Sequence, residues 1–110
     1  MSWAVERSSD FKADFALQAA WYAERGGADL VWRYEEAVEA TLAKLARLGP
    51  LGRVRRFRAP ELRGIRSTLV EPPFEVHVVF HRVEGRILSV ERVLHGMRDL
   101  PRRLRQPPGA

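Results

Sequence analysis

The chain has 110 residues, 45% hydrophobic and 9% aromatic, which is the composition of a globular rather than a disordered protein. The absence of cysteine excludes disulfides and thiolate metal sites, and a reducing cytoplasm suits such a chain. No run approaches about 18 consecutive apolar residues, and the first residues lack the pattern of a signal peptide. We therefore expect a cytoplasmic protein with no membrane contact, folded as a single domain over residues 1–110.

The net charge of +5 is divided unevenly along the chain. Residues 1–46 hold five basic and eight acidic residues, whereas residues 47–110 hold fourteen and six. Lys12 and Lys44 are the only lysines, and an arginine-rich composition is also typical of a high-GC genome. The segregation nevertheless gives the second half a positive field suited to an acidic protein or to nucleic acid.

The first half of the chain predicts a short strand and two helices. Residues 3–7 alternate, and an apolar stripe from Asp10 onward then recurs with helical spacing up to Gly26-Gly27. A second stripe follows Asp29, which is placed to cap it, and runs to Gly49-Pro50. Two helices joined by so short a link form an antiparallel hairpin. Their aromatic residues are interpreted as core packing rather than as a platform for stacking bases.

Residues 49–61 are irregular by composition and strongly basic. Such a segment fits phosphate contact and a solvated linker equally well. The basic residues here are Arg53, Arg55, Arg56 and Arg58, with Phe57 between the last two, and Arg47 lies just before the segment.

Beyond Pro60 the pattern alternates as in strands. We expect strands over residues 62–70, with a bulge or close backbone approach at Gly64, and over residues 74–81. Glu84-Gly85 then makes a tight reversal into a last strand that begins near Arg86. Without helical crossovers these three strands form an antiparallel meander. The fold class is α+β, in the order β-α-α-β-β-β plus a short C-terminal helix. The hairpin covers one face of a small, mainly antiparallel four-stranded sheet.

The other face of that sheet is expected to be partly open. It receives Arg66, one or both of His77 and His81, and the region around Arg92 and His95. Arg92 lies in the mostly apolar phase of the last strand, so its guanidinium requires an acid partner, a cluster of carbonyls or a water-filled cleft.

The chain reversal after the last strand has its own turn signals. Gly96 ends the strand, Asp99 is positioned to cap a short basic helix with Pro101 in its first turn, and residues 106–110 form a frayed tail. A plain alternative is a core strand whose polar residues only satisfy turns.

No nucleotide-binding loop, HExxH or GxSxG motif is present. His77 and His81 would lie about 13 Å apart on one strand face, too far to share an ion, so we expect no metal and no cofactor. Metal-free RNA cleavage is an open possibility, with His95 as base or acid and Arg92, Arg98 and Arg66 as phosphate-binding cations. The alternative is that His95 only hydrogen-bonds within its turn.

The run Glu91-Arg92-Val93-Leu94-His95-Gly96-Met97-Arg98-Asp99-Leu100, together with residues 62–67 and the helix pair, resembles the RelE/ParE family of toxins from type II toxin–antitoxin modules. The resemblance covers residues 3–105 and is closer to the ParE or plasmid-stabilisation branch. It implies a compact toxin held inactive by a small antitoxin whose acidic C-terminal segment wraps it.

The resemblance implies two alternative targets. The RelE branch cleaves mRNA in the ribosomal A site, whereas ParE toxins inhibit DNA gyrase. Arg92 matches the late-strand arginine of the RelE branch, and His95 lies near the catalytic histidine of some of its ribonucleases. The chain lacks the lysine pair and the C-terminal tyrosine of RelE, which favours gyrase inhibition. The ribonuclease is the alternative, and an inactive member that only binds antitoxin is a third. The predicted target- or phosphate-binding residues are Arg53, Arg55, Arg56, Arg58, Arg66, Arg98, Arg102 and Arg103.

Overall fold

A computed structural model describes residues 2–109, so the last residue of the predicted tail, Ala110, lies outside the described range. The elements are β1 (Ala4–Arg7), α1 (Ser9–Leu48), β2 (Arg53–Val54), β3 (Arg66–Leu69), β4 (His77–Glu84), β5 (Ile87–His95) and α2 (Leu100–Arg105), with a 3-10 turn at Pro60–Leu62. No helix within residues 2–109 is both long and apolar enough to cross a lipid bilayer.

The helical hairpin predicted from the sequence is confirmed. α1 breaks at Gly27, where φ of 71° and ψ of −166° depart from helical values. The rings of Phe15 and Tyr34 stack with centroids 5.3 Å apart. In a straight helix these two residues would be about 28 Å apart, so the two segments of α1 run back along each other. Ser8 caps the first segment, because its hydroxyl accepts a hydrogen bond from the N–H of Phe11.

The sheet has five strands in the order β1-β5-β4-β3-β2 rather than the four expected. The extra strand is β2, a two-residue pairing of Arg53 and Val54 with β3, inside the segment predicted to be irregular. β1 pairs parallel with β5, and all other neighbours are antiparallel. The last strand of the chain is therefore an inner strand of the sheet.

The strand predicted over residues 62–70 is shorter than expected. β3 covers only Arg66–Leu69. Gly64 lies in the turn that precedes β3, with φ of 82°, and does not form a bulge. The irregularity is instead in β5, where the pairing shifts between Phe80 and His81 and leaves Glu91 as the extra residue.

Each face of the sheet carries a hydrophobic core. The hairpin covers the larger cluster, to which β5 contributes Leu88, Val90 and Val93. α2 and the segment before β3 cover a second cluster, which includes Phe80 and Leu94. The second face is therefore less open than expected. Leu88 and Leu94 share a sequence phase yet join different clusters, because the extra residue Glu91 reverses the alternation of β5 between them.

The expectation that one or both of His77 and His81 lie on the sheet face away from the hairpin is wrong. His77 contacts the rings of Tyr22 and Tyr34. His81 shares a face with His77, since alternate strand residues point the same way, and it is completely buried. Both histidines thus lie beneath the hairpin.

Candidate functional site

Arg92 is buried within a closed hydrogen-bonding arrangement. Its Nε donates to Asp14 Oδ2 at 2.7 Å, and its Nη2 donates to Asp14 Oδ1 at 2.9 Å. Its Nη1 donates to the carbonyl oxygens of Arg103, Leu104 and Gln106 at 3.1, 3.4 and 2.7 Å. The hydrogen bond with Asp14 raises the pKa of Arg92 further above its usual value. The acid partner and the carbonyl cluster that its position requires are therefore both present.

This arrangement fixes the C-terminal segment against the first segment of α1. Three carbonyls at the end of α2 converge on one guanidinium, which satisfies acceptors that a helix end leaves free. Gln106, expected to begin a frayed tail, is held by the shortest of these bonds. Arg92 is only 5% exposed, so its charge faces the protein interior.

His95 ends β5 and is exposed on the surface. Its ring meets that of His77 edge-on, with centroids 5.2 Å apart. His77 in turn shares a 2.7 Å hydrogen bond between its Nε2 and the Tyr22 hydroxyl. Burial, reinforced by the proximity of His95, lowers the pKa of His77 to about 4, so His77 is neutral at pH 7.

Two cavities flank His95. One of about 400 Å³ lies between the first segment of α1 and β5. The other, of about 450 Å³, is lined by Arg98, Asp99 and Arg103 in addition to His95. This second cavity is lined by residues with one imidazole, one carboxylate and two guanidinium groups, and the excess of positive charge suits an anion.

The basic segment before β3 supplies two further arginine groups. Arg55 donates from Nε to Ser67 Oγ at 2.7 Å and from Nη2 to Met97 Sδ at 3.5 Å, which places it beside the turn after β5. Burial and the nearby charge of Arg53 lower the pKa of Arg55. Arg56, Arg58 and Arg105 surround Phe57 and Pro101 at a third cavity of about 560 Å³.

Arg66 and Arg102, both predicted binding residues, line none of these cavities and lie elsewhere. Arg66 pairs with His81 across the strands and therefore lies on the hairpin side of the sheet, opposite the face of Ser67. Arg102 contacts Asp99 at 3.4 Å and the Gln106 side chain at 3.3 Å on the exposed side of α2. The structure thus groups Arg53 with Arg55, Arg56 with Arg58, and Arg98 with Arg103.

Asp99 does not cap α2 as predicted. It precedes the helix in a left-handed conformation with φ of 52° and makes no side-chain cap hydrogen bond. Gly96 has the expected positive φ, at 78°. Its N–H donates to the Val76 carbonyl at 2.8 Å, so the strand pairing continues through this glycine before the chain turns.

Sequence reasoning missed the residues that surround this region on α1. Asp14, Leu17 and Trp21 fall at helical spacing, which pointed only to a helix face. Leu17 and Trp21 remain 52% and 47% exposed, whereas Asp14 is 8% exposed. The requirement of Arg92 for an acid was a usable signal, but eight acidic residues in the first 46 could have met it.

A family model matches residues 5–100 of the chain. It describes the ParE toxin of the type II toxin–antitoxin system parDE. No curated protein sequence matches the chain.

Solved structures with the same fold include toxins and their complexes. The chromosomal ParDE TA system from P. aeruginosa contains a chain with a TM-score of 0.70 and 16% identity, over 87% of this chain and 98% of that one. YafQ from E. coli strain BL21(DE3) gives 0.53 and 19%, over 83% and 90%. The E. coli DinJ-YafQ toxin–antitoxin complex gives 0.54 and 17%, over 86% and 93%. At these identities the likeness concerns the fold.

Proposed function

Because the chain belongs to the ParE toxin family of type II toxin–antitoxin systems, we propose that it inhibits growth by binding DNA gyrase and that a cognate antitoxin neutralises it. The proposed targets and partner are cytoplasmic, and so, we propose, is this protein. In this role the toxin acts by binding: its basic surface contacts the target, and it catalyses no reaction.

The burial of Arg92 is the observation that carries this choice. Metal-free RNA cleavage needs a cation that stabilises the charge developing on the phosphorane. Arg92 is the strand arginine that the RelE branch would use, yet its donors point to Asp14 and to the carbonyls of the α2 end. Moving it to a substrate would leave the Asp14 carboxylate buried without its partner, which is costly. A role in folding accounts for Arg92 completely.

One observation favours the ribonuclease as the second candidate. The cavity beside His95 also holds Asp99, Arg98 and Arg103. The carboxylate can accept a proton as base, the imidazole of His95 can donate one as acid when protonated, and two arginines supply charge stabilisation without Arg92. In that case His95 would be the catalytic residue, and the enzyme would need no metal.

Two assays with purified components distinguish gyrase inhibition from RNA cleavage. Supercoiling by gyrase and cleavage of mRNA on programmed ribosomes are measured with the same toxin preparation. If the toxin acts on gyrase, we expect supercoiling to be inhibited and the mRNA to remain intact. Cleavage in the ribosomal A site that is lost in His95→Ala, with supercoiling unaffected, would overturn it. If neither activity is found while the antitoxin still binds, the chain is an inactive member of the family.

The antitoxin is proposed to be a small protein with an acidic C-terminal segment. Residues 47–110 carry fourteen basic and six acidic residues, and several of those arginines line the cavities described above. Opposite charge on a partner would speed association and fix its orientation. Co-expression with the protein encoded next to this chain should yield a complex that survives purification, and failure of that protein to bind in calorimetry would count against the proposal.

A further inference from the structure

The outer edge of β5 is only partly covered by β1. The parallel pairing ends at Arg7 opposite Val90, and Ser8 then donates its N–H to the Val90 carbonyl as α1 begins. Within residues 2–109, no strand pairs with β5 on that side beyond this point. The last residues of β5 therefore present a free strand edge to the 400 Å³ cavity, which we call the β5 groove.

The pairing of β5 with β4 fixes which backbone groups face this groove. Gly96 donates to the Val76 carbonyl, and in an antiparallel ladder the residues of one strand alternate between facing the partner strand and facing away from it. Leu94 therefore points its backbone groups toward β4. Val93 and His95 point theirs into the β5 groove.

Side chains occupy two of those four outward backbone groups. The N–H of Val93 donates to Asp14 Oδ2 at 3.2 Å, and the carbonyl of His95 accepts from Arg103 Nη2 at 2.8 Å. The carbonyl of Val93 and the N–H of His95 have no partner among the hydrogen bonds of the described residues.

These two remaining groups define a direction of pairing. In a parallel ladder, one residue donates to the carbonyl before its opposite residue and accepts from the N–H after it. Opposite Leu94, those groups are the Val93 carbonyl and the His95 N–H. An antiparallel strand would need both groups of one residue, and Val93 and His95 have each already used one.

The walls of the groove define the chemistry of what pairs there. Leu17 and Trp21, one helical turn apart on α1, are both half-exposed and form an apolar wall. Arg103 lines the groove from the α2 side, and Arg25 lies over the Trp21 ring, with its Cζ 3.6 Å from the ring centroid. The groove therefore has an apolar strip at Leu17 and Trp21, with positive charge from Arg103 on its α2 side and from Arg25 beside Trp21.

We propose that the β5 groove binds an extended, acidic segment of the antitoxin as a strand parallel to β5. This inference rests on the proposed function. The residue opposite Leu94 points its side chain to the same face as Leu94, toward α2, where a carboxylate meets Arg103. Its two neighbours point toward α1 and place apolar side chains against Leu17 and Trp21. The expected core motif is apolar, acidic, apolar, held by backbone bonds and read by alternate side chains.

The C-terminal tail of the chain itself does not fit this role. It runs from Gln106, which Arg92 holds, and a side chain at Gly109 would touch Leu17 at 3.5 Å. However, the tail contains no acid, and Pro107 and Pro108 have no N–H to donate to the Val93 carbonyl. A partner segment of opposite charge supplies what the tail lacks.

The test uses the full chain, a seven-residue blocked peptide centred on Val-Glu-Leu, and the protein encoded next to the chain. Amide exchange is followed by NMR. We expect either partner to slow exchange of the His95 N–H by roughly tenfold or more, because it gains an acceptor. The Val93 N–H, already bound to Asp14, serves as the internal reference and should change little. A dimer formed by the chain alone, with His95 already protected, would overturn the proposal in favour of self-association.

Matched variants test the walls of the groove. Trp21→Ala should weaken binding of both partners by roughly tenfold or more, as an aromatic anchor would. Trp32→Ala, which removes a 58% exposed tryptophan from the second segment of α1, should leave binding unchanged. A peptide centred on Val-Gln-Leu should bind more weakly than the Val-Glu-Leu peptide, and Arg103→Gln should erase that difference.

Binding of the neighbouring protein and protection of the His95 amide are independent results. If the neighbouring protein binds tightly while the His95 amide and Trp21→Ala show no effect, the groove assignment is wrong and the antitoxin proposal survives. If the peptide protects His95 while the neighbouring protein does not bind, the groove assignment survives and the antitoxin proposal does not.

Discussion

Asp14 and Arg92 lie 78 residues apart in the chain and form a bidentate ion pair with N–O distances of 2.7 and 2.9 Å. The same carboxylate accepts the N–H of Val93, while the same guanidinium binds the carbonyls that end α2. One pair of side chains thus joins α1, the free edge of β5 and the C-terminal helix.

Removing one member of this pair should strongly destabilise the protein. Asp14→Ala leaves the Arg92 charge buried without its partner, and we expect a loss of about 3–5 kcal/mol in the free energy of unfolding measured with urea. The matched control is Glu39→Ala, which breaks the pair of Glu39 with Arg7 at 2.6 Å. That pair is largely exposed, so its loss should cost less than about 1 kcal/mol. Equal costs for the two variants would show that the Asp14 pair is not structural.

The buried histidines should make the protein less stable in mild acid. Burial lowers the pKa of His77 and of His81 to about 4, with smaller contributions from His95 and Arg66 respectively. Between pH 6.5 and 4 the unfolded chain takes up protons that the folded chain does not, so stability is full above pH 6.5 and falls toward pH 4. The loss is about 3 kcal/mol per histidine at most.

His77→Gln provides the check on this pH dependence. The variant keeps a polar group near the Tyr22 hydroxyl but has no titrating ring, so its stability should fall about half as steeply between pH 6.5 and 4. Denaturation curves at several pH values measure the slope. An unchanged slope in His77→Gln would mean that His77 does not contribute to it.

The turn after β5 should tolerate changes at Asp99 better than at Gly96. A Cβ at Gly96 would meet nothing within 4 Å, so Gly96→Val is penalised by its φ of 78° alone, at about 1–3 kcal/mol. Asp99 makes no cap bond and has φ of 52°, so Asp99→Gly should be neutral or slightly stabilising. Thermal midpoints of the two variants test this order, and a larger loss in Asp99→Gly would contradict it.

The surface arginines should contribute to target binding through charge. If the toxin acts by binding gyrase, Arg98→Gln and Arg102→Gln should weaken inhibition, more so at low than at high salt. His95→Ala should then have little effect beyond its turn. Lys12, on the first segment of α1 away from the arginine-lined cavities, offers the control Lys12→Gln. If the arginine variants inhibit gyrase as strongly as the wild type does at every salt concentration, these charges have no role in target binding.

The sequence predicted the parts of the fold that depend on local signals. The glycine pair at the end of the first helical stripe identified the hairpin, and Glu84-Gly85 identified the β4–β5 turn. The parallel pairing of β5 with β1 could not be predicted. The two strands are some 80 residues apart, and no local sequence pattern in β1 indicates which strand it pairs with. Glu91 also gave no signal, although this one extra residue decides which face Leu94 reaches.

The functional region was predicted in part, for the same reason. Arg92 was recognised as a cation that needs partners, because its position in an apolar phase carries a known cost. Its partner, Asp14, is determined by how α1 packs against the end of β5, which is a tertiary relation. The placement of Arg66 on the hairpin side likewise depends on strand register. The alternation of residues in the sequence shows which side chains share a face, but not which face of the sheet that is.

The position of β5 between β1 and β4 has a consequence for how the protein is made. Synthesis begins at the N-terminus, so β1 emerges from the ribosome long before the strand it must pair with. The strand that pairs with β1, and the arginine that anchors both helices, are translated some 80 residues after β1. We therefore expect the nascent chain to stay unfolded until β5 has left the ribosome, and the toxin to be harmless up to that point.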